Sequence, residues 1–152
     1  MQNILDHWES IREEGIYPVP YPAETRLSLV DLRDVAQAAA TVLTEPGHEY
    51  ATYELVGSAG LSQVEIAVML SGKLGQPVRV KVIPLETWEK QAVEAGLGAQ
   101  QIETLTKMFR YYQQFDFLGN SQVLSWLLQR PPSSFSAFVK RTLQETTKQA
   151  IK

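Results

Sequence analysis

Cysteine is absent from the 152 residues. That absence removes disulfides, thiolate zinc sites and a cysteine nucleophile together, and it suits a reducing compartment. Histidine is scarce, with His7 and His48 the only 2 in the chain. They stand far apart and neither has a ligand-spaced partner, so no metal site is expected. No apolar run approaches a membrane span. The acidic, amphipathic opening MQNILDHWESIREEG is unlike a signal peptide. Basic residues are not in excess: 14 Lys and Arg face 17 Asp and Glu, a net charge of −3. A nucleic-acid binder needs a basic face. The expectation is a cytoplasmic chain that binds neither membrane nor nucleic acid.

Apolar residues make up 44% of the sequence and charged residues 20%, enough for a core in one domain spanning residues 1–152. Ile4, Leu5, Trp8 and Ile11 have helical spacing, and Gly15 follows as a stop. The segment IYPVPYPAET alternates prolines with aromatics and reads as an ordered loop without a sheet ladder. RLSLV then reads as a strand. Asp31 falls at the N-cap of the next helix and Asp34 at its third position, where both face free N–H groups and the positive end of the helix dipole. ATYELVG reads as a second strand, and Ser62 and Glu65 have capping-box spacing before another helix that Gly75 ends. In QPVRVKVIP, Val78, Val80 and Val82 alternate with Arg79 and Lys81, the period of a half-buried strand. After Pro84 the segments read as helices to the end. The expected fold is therefore α/β: a small parallel sheet of about three strands with crossover helices in 1–84, then a helical part in 85–152.

Several constellations fail on inspection. Gly57 and Gly60 lie between a strand and a helix, as in a dinucleotide-binding turn, but Gln63 stands where the third glycine belongs. LSQVEIAVMLSGKLG opens like a helix-turn-helix, but Pro77 and a strand follow where a recognition helix is required. None of the 6 tyrosines has a lysine four residues on, the pairing that would lower a tyrosine pKa for hydride-transfer chemistry. Met108, Phe109, Tyr112, Phe115 and Phe117 form a stripe that reads as core or interface, with a ligand wall as the alternative.

The stretch from Leu27 to Pro84 resembles the C-terminal half of NmrA-like proteins, atypical members of the short-chain dehydrogenase/reductase superfamily. It matches their Val-Asp-x-Arg-Asp-[Ile/Val]-Ala at Val30, Asp31 and Arg33 to Ala36. It matches the end of Leu-x-x-Pro-Gly-His at Glu45 to His48, Tyr-Glu-Leu at Tyr53 to Leu55, and Leu-[Ser/Thr]-x-x-Glu-Ile-Ala at Leu61, Ser62 and Glu65 to Ala67. Leu74 to Val78 match Leu-Gly-[Gln/Arg]-Pro-Val, and LLQRPPSSFSAFVKR resembles the family's closing motif, with Gln129 where glycine is common. MQNIL resembles a mid-chain segment of the family.

The resemblance implies that the glycine-rich, NAD(P)-binding half of relatives lies outside this chain. No cofactor site is then expected here, and NAD(P) is implied for full-length relatives. It further implies the substrate-binding portion of an oxidoreductase or epimerase-type protein, inactive alone; the alternative is a regulatory or protein-interaction module of the redox-sensor type. Neither reading carries over a catalytic residue. Asn3, Tyr17, Tyr21 and Arg26 are the candidates for lining a small-molecule substrate cleft, with Asp31 and Asp34 as structural caps. A sheet edge left open by a missing half implies pairing with that half or with a second copy, as a homodimer.

Overall fold

The computed structural model describes residues 1–150, with side chains through residue 146. A 3₁₀ turn, Gln2–His7, leads into α1 (Trp8–Glu13), β1 (Ile16–Val19), β2 (Arg26–Leu27) and α2 (Leu32–Thr44). Then come β3 (Leu61–Ser62), α3 (Gln63–Leu74), β4 (Arg79–Val82), α4 (Leu85–Glu94), α5 (Ala99–Phe115), α6 (Gln122–Leu128) and α7 (Phe135–Ala150). These elements gather into two compact units that interleave along the chain. One holds Met1–Asp6, Ser28–Gly60 and the segment from Leu118 onward; the other holds His7–Leu27 and Leu61–Phe117. Among the described residues, no helix is long and apolar enough to cross a membrane.

The second unit contains the parallel sheet. β1 pairs with β4 in the register Ile16↔Arg79 to Val19↔Val82, so the parallel ladder has two strands where about three were expected. The Pro-rich segment supplies one of them, against the expectation of a loop. The reason lies in the register. Arg79 donates to the Gly15 carbonyl and Ile83 to the Val19 carbonyl, so the odd-numbered residues of β1 face the ladder. Pro18 and Pro20 fall on the other side, where a missing N–H costs no ladder bond. β2 pairs antiparallel with β3 through Arg26↔Ser62 and Leu27↔Leu61. Ile11, Val19, Ile66 and Leu70, each at most 2% exposed, form the centre of this unit's core. The helix α3 begins with Ser62 accepting from the Glu65 N–H while the Glu65 carboxylate accepts from the Ser62 N–H, and it ends at Gly75 in the left-handed conformation.

The first unit is built on α2 packed against α6. Ala38, Leu124, Leu127 and Leu128 are buried, with Val30, Val42, Tyr53, Leu55 and Val123 packed around them. The expected strand over 51–57 forms no ladder, and 28–30 carry none beyond β2. Side chains tie these segments instead. The Leu29 N–H donates to Ser58 Oγ at 3.1 Å, and the Gly119 N–H donates to Ser28 Oγ at 3.2 Å. Gly57 crosses Leu29–Val30 so closely that an added Cβ would sit 2.6 Å from the Leu29 carbonyl oxygen.

Two buried aspartates fasten the C-terminal segment to α2. Asp31 caps α2 by accepting from the Arg33 N–H at 3.1 Å. The same carboxylate accepts from Gln2 Nε2 at 2.8 Å and from Arg141 at 2.5 Å. Asp34, at the third helical position, turns away from the helix end. It accepts from Arg130 at 2.7 Å, from the Ser133 N–H at 2.6 Å and from the Ser133 hydroxyl at 3.1 Å.

Candidate functional site

The aromatic stripe of α5 meets the Pro-rich segment in the second unit. Tyr21, just past β1, has its ring 5.8 Å from Phe109 and 6.0 Å from Tyr112, the latter edge-on. Trp88 of α4 stands edge-on to Phe109 at 4.8 Å, and Phe117 lies 5.4 Å from Tyr112. Such tilted and edge-on pairs suit the ring quadrupoles and fix the rings relative to one another. Gln113 holds the loop from the same helix, donating to the Pro20 carbonyl at 3.1 Å. The outer part of the stripe stays open: Tyr111, Phe115 and Phe117 are each about half exposed. The α5 stripe is thus both core and exposed aromatic surface.

Beneath this wall lies a polar knot. The Tyr17 hydroxyl donates to Gln63 Oε1 at 2.9 Å, and Gln63 Nε2 donates to the Thr25 carbonyl at 2.9 Å. Gln63 is fully buried. Sequence reasoning treated it only as the break in a glycine motif; its signal was a long amide at the start of a capped, otherwise apolar helix. Burial pushes the Tyr17 hydroxyl far above its ordinary pKa, with a smaller push from Tyr21. Burial does the same for Tyr21, helped by Tyr112. Both therefore remain neutral donors, poor proton acceptors at neutral pH. Arg26 is exposed and pairs with Glu65 at 3.2 Å. The Glu65 carboxyl is held below its ordinary value, first by the Ser62 N–H and hydroxyl and then by Arg26, so it stays ionised. The Arg26 N–H donates to Asp116 Oδ1 at 2.8 Å. Tyr17, Tyr21 and Arg26 thus fall in one unit. Asn3 is exposed on the 3₁₀ turn of the other. The arrangement in the second unit offers shape and aromatic faces, while its buried tyrosine hydroxyls stay neutral.

A dinucleotide does not fit the strand-to-helix turn. The first three N–H groups of α3 are taken: Gln63 and Val64 donate to the Ala23 carbonyl, at 3.0 and 3.3 Å, and Glu65 donates to Ser62 Oγ. A pyrophosphate needs such groups free. Gly57 is also accounted for by the Leu29 backbone rather than by a phosphate. Among the described residues, no cluster of His, Asp or Glu is placed to hold a metal ion.

Known proteins share this architecture. The chain is 31% identical over 140 residues to the NAD(P)H azoreductase of Xenophilus azovorans, a match covering 92% of this chain and 49% of that protein. An NADPH-dependent quinone oxidoreductase from Escherichia coli superposes with a TM-score of 0.79 at 22% identity, over 93% of this chain and 51% of that one. The triphenylmethane reductase of Citrobacter sp. superposes with a TM-score of 0.75 at 26% identity, over 91% of this chain and 48% of that one. The chain spans about half the length of each. The match to the NmrA-like family runs over residues 1–145, and with the shared fold it establishes that this chain belongs to the NmrA-like family.

Proposed function

We propose that this chain is the substrate-binding portion of an NmrA-like, NAD(P)H-dependent reductase, and that its substrate is a flat aromatic electron acceptor. One observation carries the reading: Tyr21, on a loop pinned by Gln63 and Gln113, forms with Trp88, Phe109, Tyr112 and Phe117 a connected set of rings whose outer member, Phe117, is about half exposed. The azoreductase relative, by its name, reduces azo compounds with NAD(P)H, which supports an aromatic acceptor. The residues of this chain bind and orient that acceptor. None is assigned a step in its reduction, and the chain by itself is inactive.

The test is a titration with a soluble azo dye, read by tryptophan fluorescence, because Trp88 touches Phe109. Saturable quenching is expected, and Tyr112→Ala weakens it by about fivefold or more, the worth of one aromatic pair. The chain with NADPH and dye shows no NADPH oxidation. Absence of saturable quenching, or the same affinity in Tyr112→Ala and Phe109→Ala, defeats the aromatic wall as the substrate surface. Dye-dependent NADPH oxidation by the chain alone defeats the assignment as a binding portion only.

A further inference from the structure

A second candidate site lies in the first unit. A groove of about 230 Å³ opens between the last turns of α2 and α6, lined by Gln37, Thr41, Glu45, His48, Trp126 and Gln129 among others. Its chemistry has one sign. Glu45 supplies a carboxylate beside the C-terminal ends of α2 and α6, where the Thr41 and Trp126 carbonyls already accept from Glu45 and Gln129 and the dipoles add a negative bias. Among the described residues, no Lys or Arg lines it. Arg130, next in the chain to Gln129, is held by Asp34 and Gln37, at 2.7 Å each.

The groove also has a fixed aromatic surface. Trp126 is 55% exposed. It is nevertheless held from two sides, 5.9 Å from the His48 ring and 6.0 Å from the Tyr53 ring. His48 and Tyr53 are locked to each other edge-on at 5.6 Å, with His48 Nδ1 2.7 Å from the Tyr53 hydroxyl. An indole that is both exposed and held in place, beside a carboxylate and two helix C-termini, matches what a desolvated organic cation requires. We propose that this groove binds an alkylammonium group, its charge against Trp126 and beside Glu45. The proposal does not depend on the aromatic wall of the second unit.

Choline and its neutral isostere 3,3-dimethylbutan-1-ol separate charge from shape. Each is titrated into the ¹⁵N-labelled chain while the Trp126 indole N–H is followed. Choline is expected to shift that resonance saturably, and the isostere at least about fivefold more weakly, the range of a cation–π contact. Trp126→Leu abolishes the choline-dependent shifts of the Glu45 and His48 backbone N–H resonances, which report on the groove in the absence of the indole. Glu45→Gln, at an exposed position, weakens choline about threefold or more without changing the isostere. That weakening shrinks as salt screens the carboxylate. A trimethyllysine peptide binding more tightly than choline assigns the natural source to a protein side chain; the reverse order assigns it to a small amine, and either supports the site. Equal affinity for choline and its isostere, no saturation by about 100 mM choline, or an unchanged response in a folded Trp126→Leu or Glu45→Gln variant overturns the proposal.

Discussion

The hydroxyl of Tyr17 donates to the side-chain oxygen of Gln63 at 2.9 Å, 46 positions away and inside the core of the second unit. Gln63 in turn holds the Thr25 carbonyl, so one amide fixes both the strand and the loop that carries Tyr21.

Breaking this knot from either side is expected to destabilise. Tyr17→Phe leaves the Gln63 oxygen buried without a donor, at a cost of about 1–3 kcal/mol. Gln63→Leu strands both the Tyr17 hydroxyl and the Thr25 carbonyl and costs more. The double variant should cost less than the sum of the two, because the partners share one bond. Urea unfolding of the four proteins checks this, and strict additivity would mean that the bond carries no weight.

Alkaline stability follows from the same burial. Tyr17 and Tyr21 have native pKa values raised above the ordinary value near 10. Below pH 10 folded and unfolded chains hold these protons equally. As pH rises past 10, the unfolded chain releases them and the native chain does not, so stability falls. A titration at 295 nm should show these two of the 6 tyrosines ionising only together with loss of the near-UV dichroism. Early ionisation of all six in a folded chain contradicts it.

Asp31 separates a cap from a charge. Asparagine caps a helix as well as aspartate does, so Asp31→Asn keeps the N-cap and loses the charge facing Arg141. Asp31 is buried but Arg141 only partly so, so the expected cost is about 1.5–3 kcal/mol, that of hydrogen bonds to a charged group, against about 0.5–2 kcal/mol for a cap alone. Burial raises the Asp31 pKa, but hydrogen bonds from Arg141, Gln2 and the Arg33 N–H, with the Arg141 charge, outweigh it and hold the native value low. The stabilisation is therefore present above about pH 4 and lost as pH falls through the native value. Wild type should lose stability in that acid range, while Asp31→Asn shows a flatter profile.

Two glycines predict opposite signs. Gly57→Ala drives a Cβ to 2.6 Å from the Leu29 oxygen and 3.0 Å from the Val30 Cα, and should cost at least about 2 kcal/mol. Gly72 lies inside α3, with nothing within 4 Å of an added Cβ, and Gly72→Ala should stabilise by roughly 0.5–1 kcal/mol. Thermal melts of the two variants moving in the same direction would contradict this packing.

Nicotinamide dinucleotide should not bind the turn before α3, whose N–H groups are already satisfied. Calorimetry with NADPH is expected to show no saturable heat. A micromolar dissociation constant would require a cradle elsewhere in the chain.

Local signals in the sequence carried the helices well. Asp31, Ser62, Glu65 and Gly75 mark caps and stops because each acts on its own turn of chain, and the structure has α2 beginning after Asp31 and α3 running from its Ser62 cap to Gly75. Strands were harder to read because their partners are distant. Nothing local reveals that Ile16–Val19 meets Arg79–Val82 with its prolines turned outward, or that residues 51–57, as strand-like in composition, form no ladder. The sites divide likewise. The α5 stripe was visible as a helical period, whereas Gln63, His48 and Trp126 acquire meaning only from neighbours many residues away.

The aspartates of α2 also impose an order in time. Asp34 precedes Arg130 by 96 positions and Asp31 precedes Arg141 by 110. At roughly 5–20 residues per second, a ribosome delivers the carboxylates several seconds to some tens of seconds before the cations that neutralise them. Until then the N-terminal end of α2 keeps two charges that water must solvate, and its docking is delayed. Completion of the first unit thus waits until Arg130 and Arg141 have been added.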